Sequence, residues 1–265
     1  MGRASLPMYD YPELREYTDQ WWQGLCRHFK DAGLRFFPEE LERPKNLYPH
    51  WMDPTLFFSQ TCGYPLTHAL RRQLHIVGAP CYSASGCRGV RYTSFVVVAA
   101  ENPARNLAEL RDTRCAYNSL DSQSGYNALR AIVAPLAHRG RFFGKALKSG
   151  GHRESLWMVG NGEADICAVD CVTYALLQRH IPETLHNTRI LTETPTAPGM
   201  PFITASVLTL EPMRMAVQNA FADPELEPLR AELLLGGFET LPREHYKEIV
   251  NMEKFAIQRG YRELP

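Results

Sequence analysis

Residues 118–130, reading Asn-Ser-Leu-Asp-Ser-Gln-Ser-Gly-Tyr-Asn-Ala-Leu-Arg, carry a run of groups suited to gripping an oxyanion. Ser122 and Ser124 offer hydroxyls that can donate hydrogen bonds, and Gly125 lets a ligand come close to the backbone. The run follows a short expected strand, Arg114-Cys115-Ala116-Tyr117. It precedes a helix in which Tyr126, Leu129, Ile132, Val133 and Leu136 recur at helical spacing. Either serine can cap that helix and leave first-turn N–H groups for an anion, with the positive end of the helix dipole behind them.

The same succession of strand, polar turn and helix returns twice more. An expected strand over 142–148 gives way through Ser149-Gly150-Gly151 to a helix running from His152 to about Gly160, where Asn161-Gly162 stops it. A buried strand over 164–169 ends at Asp170, ahead of a helix over 172–179. In an open parallel sheet such junctions gather along the carboxyl edge, where ligand crevices form. Ser122, Ser124, His152 and Asp170 are therefore expected to share one site. His152 would donate to the anion and be favoured in its charged form by it. Asp170 would repel a bare phosphate; it suits a ligand that also carries an amine or a protonated oxygen, or else it caps its helix.

Serine, histidine and aspartate together also raise the possibility of a hydrolase. A G-x-S-x-G elbow would need glycine at 120 or 122, where Leu120 and Ser122 stand. Gly160-Asn161-Gly162 precedes a strand instead of following one, which removes a dinucleotide-binding fingerprint.

Composition narrows the classes further. The 265 residues are 45% hydrophobic, enough for one large domain or two lobes, and 29 basic residues balance 29 acidic ones. Zero net charge argues against nucleic acid or an anionic membrane as the main partner. The longest apolar run, 95–100, is far short of a membrane span. Asp10, Glu13, Arg15, Glu16 and Asp19 interrupt any apolar leader, so the chain as written is expected in the cytoplasm, or in the periplasm where a leader has been removed. The cysteines, Cys26, Cys62, Cys81, Cys87, Cys115, Cys167 and Cys171, have no metal-ligand spacing and read as buried thiols in a reducing compartment.

The remaining elements must position the site. A first strand is expected over 4–9, then a helix opened by Asp10, Pro12 and Glu13, with Leu14, Tyr17, Trp21, Leu25 and Phe29 on its core face and an end near Gly33. Residues 38–54 read as irregular connection. Strands follow over 55–60, 74–79, 92–100, 188–194 and 202–206, with a turn over 61–65 that leads into a helix through Arg72 and a short helix over 103–110; the chain beyond residue 206 reads as helical. Strands alternating with helices indicate an α/β fold with mainly parallel sheets.

Cys62-Gly63-Tyr64-Pro65-Leu66, Tyr92 with Val96-Val97-Val98, the run from Asn118 to Leu129, Ser149-Gly150-Gly151-His152, and the stretch from Gly162 to Tyr174 resemble, in this order, the phosphate/phosphonate-binding protein family of ABC transporters. The likeness extends from the first strand to Ala205. It implies a type 2 periplasmic-binding-protein fold: two lobes, each a mainly parallel sheet flanked by helices, with the ligand in the interlobe cleft. Residues 1–98 with 200–265 would form lobe one, and 99–199 lobe two. It also implies that Ser122, Gln123, Ser124 and Gly125 grip the oxygens of a phosphate or phosphonate. Tyr64 and Tyr92 would line the opposite wall, and His152 and Asp170 would complete the site. The expected protein binds its ligand without turnover, uses no cofactor or metal, and is a monomer or weak dimer with an ABC permease as partner. The alternatives are a cytoplasmic ligand sensor or accessory protein of the same fold, or a hydrolase using Ser122 or Ser124 with His152 and Asp170.

Overall fold

The computed structural model describes residues 2–70 and 74–265. The chain divides into two compact units. The first comprises Met1–Ser83, Arg88–Val90 and Pro198–His245; the second comprises Ala84–Cys87, Arg91–Ala197 and Tyr246–Pro265. Among the described residues, no helix is long and apolar enough to cross a membrane.

The first unit is built on a five-stranded sheet in the order Arg3–Ser5, Leu56–Gln60, Phe202–Thr204, His75–Tyr82, Leu235–Glu239. Arg3–Ser5 and Leu56–Gln60 pair in parallel, whereas Phe202–Thr204 and Leu235–Glu239 run against their neighbours. Helix Arg15–Asp31 covers this sheet because Trp21, Trp22, Leu25 and Phe29 recur on one side of it and are buried against Phe57, Phe58, Val77 and Phe202. Each such side chain contributes roughly 1.5–3 kcal/mol by leaving water. The helix starts at Pro12–Leu14 as a single tight turn, without the box expected of Asp10 and Glu13. Tyr11 occupies the cap position, and the Asp10 carboxylate instead accepts from Arg43 at 2.7 Å.

Segment 38–54 is less irregular than its prolines indicate. It holds a short helix, Leu47–Trp51, capped by Asn46. A buried polar chain ties this helix to the sheet: Ser5 Oγ lies 2.8 Å from His50 Nε2 and 2.7 Å from Ser59 Oγ, which in turn accepts from Trp51 Nε1. Leu235–Glu239, in the stretch read as wholly helical, is an edge strand on His75–Tyr82. The expected helix is short, Gly63–Thr67, and passes into a turn over 68–70; its last expected residues, 71 and 72, lie outside the described residues.

The second unit has its own sheet, ordered Lys145–Lys148, Arg114–Tyr117, Ile166–Asp170, Ser94–Ala99, Thr188–Glu193. The first three strands are parallel, and Ser94–Ala99 runs against both of its neighbours. Three parallel strands in adjacent positions bring three strand-to-helix junctions to one edge.

Residues 246–265 belong to this second unit, not to the lobe in which the sequence reading placed all of 200–265; residues 91–98 do so too. The cause is visible in the packing. Ala256, Tyr261 and Leu264 are buried with Val96, Leu129, Val133 and Ile166. The buried Arg130 guanidinium donates to the Arg262 carbonyl at 2.6 Å, to Asn127 Oδ1 at 2.8 Å and to Glu253 at 3.2 Å. The Leu264 N–H donates to the Tyr126 hydroxyl at 3.2 Å. The short helix expected over 103–110 is reduced to one turn, Leu107–Leu110, capped by Asn106.

Candidate functional site

The three junctions lie side by side in the second unit, with 118–125 in the middle because Arg114–Tyr117 is flanked by Lys145–Lys148 and Ile166–Asp170. The Ser149 turn is stitched to the central strand's end: Ser149 N–H donates to the Tyr117 carbonyl at 2.9 Å and Gly150 N–H to that of Asn118 at 3.2 Å. That seam delivers helix His152–Gly160, which starts at His152 as its sequence predicts, against the central turn. On the other side, Asp170 closes its strand and caps helix Cys171–His180, its Oδ1 accepting the Thr173 N–H at 2.8 Å.

From these positions the side chains converge. Ser124 Oγ lies 2.9 Å from His152 Nε2, Ser122 Oγ lies 3.5 Å from Ser124 Oγ, and Asp170 Oδ2 lies 3.4 Å from the same His152 Nε2. Ser122 caps the turn by accepting the Gly125 N–H at 3.0 Å, so that amide is spent within the protein. The turn itself, Gln123–Asn127, is wound as one π turn and fully buried, with Asn127 N–H reaching back five residues to the Ser122 carbonyl. Single π turns of this kind occur mostly inside helices and often at functional sites.

Gly125 has a different reason to be glycine from ligand approach. A methyl there would strike Asn118 Oδ1 and come within 2.9 Å of Asn118 Cγ and of His152 Cε1. The missing side chain is what lets His152 reach Ser124. Asn118 was not singled out from its sequence; its place at the mouth of the central strand was the available signal.

The other expected residues are carried by three different elements. Gln123 directs its amide into the unit, donating to Met252 Sδ and accepting from Asn127 at 2.7 Å. Tyr92 is buried on Arg91–Tyr92, the strand that leads into Ser94, whose register partner is Asp170. Tyr64 belongs to the first unit, where its ring stacks on His68 at 3.9 Å. Arg91, next to Tyr92 on that strand, is held by Glu248 at 2.6 Å and by Thr196.

Burial pushes the His152 pKa down; Asp170, Glu154 and the backbone of Ala168 offset this in part. His50 of the first unit is likewise held below the ordinary imidazole value, again chiefly by burial. An imidazole depressed in the folded state binds fewer protons there than in the unfolded chain, so stability rises with pH across that interval. The stabilising state is complete above the ordinary histidine value of about 6.5 and is lost as pH falls below it. Denaturant melts are expected to show stability declining as pH falls below about 6.5, and His152→Gln combined with His50→Gln should flatten that slope. A profile flat over this range in the parent chain would contradict the burial of both rings.

The sequence profile of the family described as "ABC transporter, phosphonate, periplasmic substrate-binding protein" matches residues 67–246. No curated protein sequence matches the chain significantly. Solved structures of similar fold include PhnD1 from Prochlorococcus marinus in complex with methylphosphonate, at TM-score 0.74 and 14% identity, covering 96% of this chain and 97% of that one. A binding protein component of an ABC phosphonate transporter from Pseudomonas aeruginosa superposes at TM-score 0.72 and 16% identity, covering 97% of this chain and 87% of that one. A Xanthomonas citri protein bound to ATP does so at TM-score 0.70 and 15% identity, covering 97% of each. At these identities the structural likeness is one of fold.

Proposed function

The chain belongs to the family of periplasmic substrate-binding proteins of ABC phosphonate transporters, and from that premise we propose that Ser122, Ser124 and His152 grip the oxygens of a phosphonate or phosphate without turning it over. The observation that supports this most directly is the meeting of two serine hydroxyls and one imidazole at a helix start, the serines delivered by one strand-to-helix junction and the imidazole by the junction beside it. Hydroxyls and an imidazole N–H are donors of the kind that oxyanion oxygens accept, and a helix N-terminus favours negative charge.

Asp170 refines the ligand. A buried carboxylate 3.4 Å from His152 repels a fully ionised phosphonate. It tolerates one that keeps a proton on oxygen or carries a neighbouring ammonium. A small alkyl- or aminoalkylphosphonate answers both demands, and an ABC permease is the partner in keeping with the family.

The geometry speaks against a hydrolase. In a serine–histidine–aspartate relay the carboxylate holds one ring nitrogen while the serine faces the other. Here Ser124 and Asp170 face the same atom, Nε2. Calorimetry with phosphate, methylphosphonate and 2-aminoethylphosphonate is expected to give stoichiometric binding of at least one, with the ligand recovered intact by mass spectrometry. Absence of binding to all three, or a cleaved product, would overturn the reading.

A further inference from the structure

Next to Asp170 sits a second chemical feature that oxyanion binding does not use. Cys87 Sγ and Cys171 Sγ lie 3.5 Å apart, both as free thiols, on segments 84 residues apart in the chain and within the same unit. Their approach is built in by the loop. Gly86 takes φ +91°, and a methyl there would come within 2.7 Å of Thr93 Cγ2 and 2.9 Å of Cys171 Cβ. Cys87 N–H donates to the Ala84 carbonyl at 3.0 Å, closing the turn that aims Cys87 at Cys171. Cys171 is itself fixed, its N–H donating to the Thr93 carbonyl at 3.0 Å as the first residue of the helix that Asp170 caps.

We propose that Cys87 and Cys171 form a reversible disulfide that alters the oxyanion site, a role that rests on the reading of that site given above. A low-molecular-weight organic disulfide, such as glutathione disulfide, is the oxidant. The Cys87 thiolate attacks one of its sulfurs; that S–S bond breaks, a mixed disulfide forms, and the expelled thiolate takes up a proton. Cys171, deprotonated in its turn, then attacks Cys87 Sγ, forming the Cys87–Cys171 bond and releasing the second small thiol. Two cysteine thiols are oxidised by two electrons, and one small disulfide is reduced to two thiols.

The two sulfurs are unequal in a way that suits this order. The Cys87 thiol is held below its ordinary pKa by the hydrogen bond with Cys171, and Cys171 is pushed up by that same bond and by burial. Cys87 is also the more exposed of the two, whereas Cys115 and Cys167 are wholly buried. Closing the bond requires the sulfurs to move from contact to about 2.05 Å. That displacement falls on the Gly86 turn and on the first residue after Asp170, whose carboxylate faces His152.

The test is to treat the full chain with glutathione disulfide, map peptides without reduction, and titrate methylphosphonate by calorimetry before oxidation, after it, and after dithiothreitol. The expected result is a Cys87–Cys171 linkage with five of the seven thiols remaining. Affinity should change by about tenfold, the scale of one charge-assisted hydrogen bond, and return on reduction. Cys87→Ser should bind as the reduced parent does and lose the response to oxidant, and Gly86→Ala should slow the linkage by displacing the turn. A linkage elsewhere, or a mixed disulfide that persists on Cys87, would overturn the assignment of the pair. A linkage that forms and leaves affinity unchanged would overturn its effect on the site while leaving the oxyanion reading standing. If the linkage forms and neither redox state binds phosphate or either phosphonate, the oxyanion reading fails and the effect on the site fails with it.

Discussion

Replacing His152 with Ala is expected to weaken binding of the phosphonate recognised by calorimetry by about 10–100-fold, and Ser124→Ala should fall in the same range. Each removes a donor to an anion, and hydrogen bonds to charged groups are worth about 1.5–3 kcal/mol. The two side chains touch at 2.9 Å, so their effects should not add. The double variant is expected to lose less than the product of the single losses, because His152→Ala already removes what orients the Ser124 hydroxyl. Ser122→Ala carries a further consequence for folding, since Ser122 Oγ also holds the Gly125 N–H. If His152→Ala and Ser124→Ala both bound as tightly as the parent, these residues would have no part in holding ligand.

Gly125→Ala should be the most damaging single methyl that can be added to the second unit's site. The new carbon would meet Asn118 Oδ1 and stand 2.9 Å from His152 Cε1. His152 is not free to yield cheaply, being held between Ser124 and Asp170, and the Asn118 amide must swing aside on a backbone fixed by the bond from Gly150. Overpacking of a filled site costs about 1–3 kcal/mol, and here it must also push His152 off Ser124. The expected outcome is a lower melting temperature together with loss of detectable binding. Asn118→Ala in the same chain should recover much of the stability by removing the nearest obstacle, and recover little of the binding, because the approach to His152 remains. A Gly125→Ala protein with parental melting temperature and affinity would show that the turn can shift at no cost.

How far the chain could be read in advance follows from what each signal depends on. The strand Arg114–Tyr117 and the helix His152–Gly160 lie where expected, because apolar residues, Gly-Gly turns and an Asn-Gly stop are local signals that neighbours did not override. The expected capping box at Asp10 failed by competition: Arg43, far off in sequence, offers that carboxylate a stronger partner than a backbone amide. Leu235–Glu239 carries two adjacent glycines and no strand-like alternation, and it becomes a strand because the edge of His75–Tyr82 supplies hydrogen-bond partners. Helix Lys247–Gln258 shows plainly that it has an apolar face, but amphipathicity states that a face is buried and is silent on which core buries it. The Arg130 contacts and the burial of Tyr261 decided that, and moved residues 246–265 from one unit to the other.

The same division runs through the candidate site. Three strand-to-helix junctions bearing Ser122 and Ser124, His152 and Asp170 were determined by the order of residues alone, since the chemistry of a junction is written in a few adjacent positions. Only the tertiary structure decided that Arg114–Tyr117 lies between the other two strands, that Ser124 and Asp170 meet the same nitrogen of His152, and that Gln123 turns inward to Met252. Those are consequences of strand order and of side chains competing for the same space, quantities that a linear sequence encodes only through contacts between distant residues.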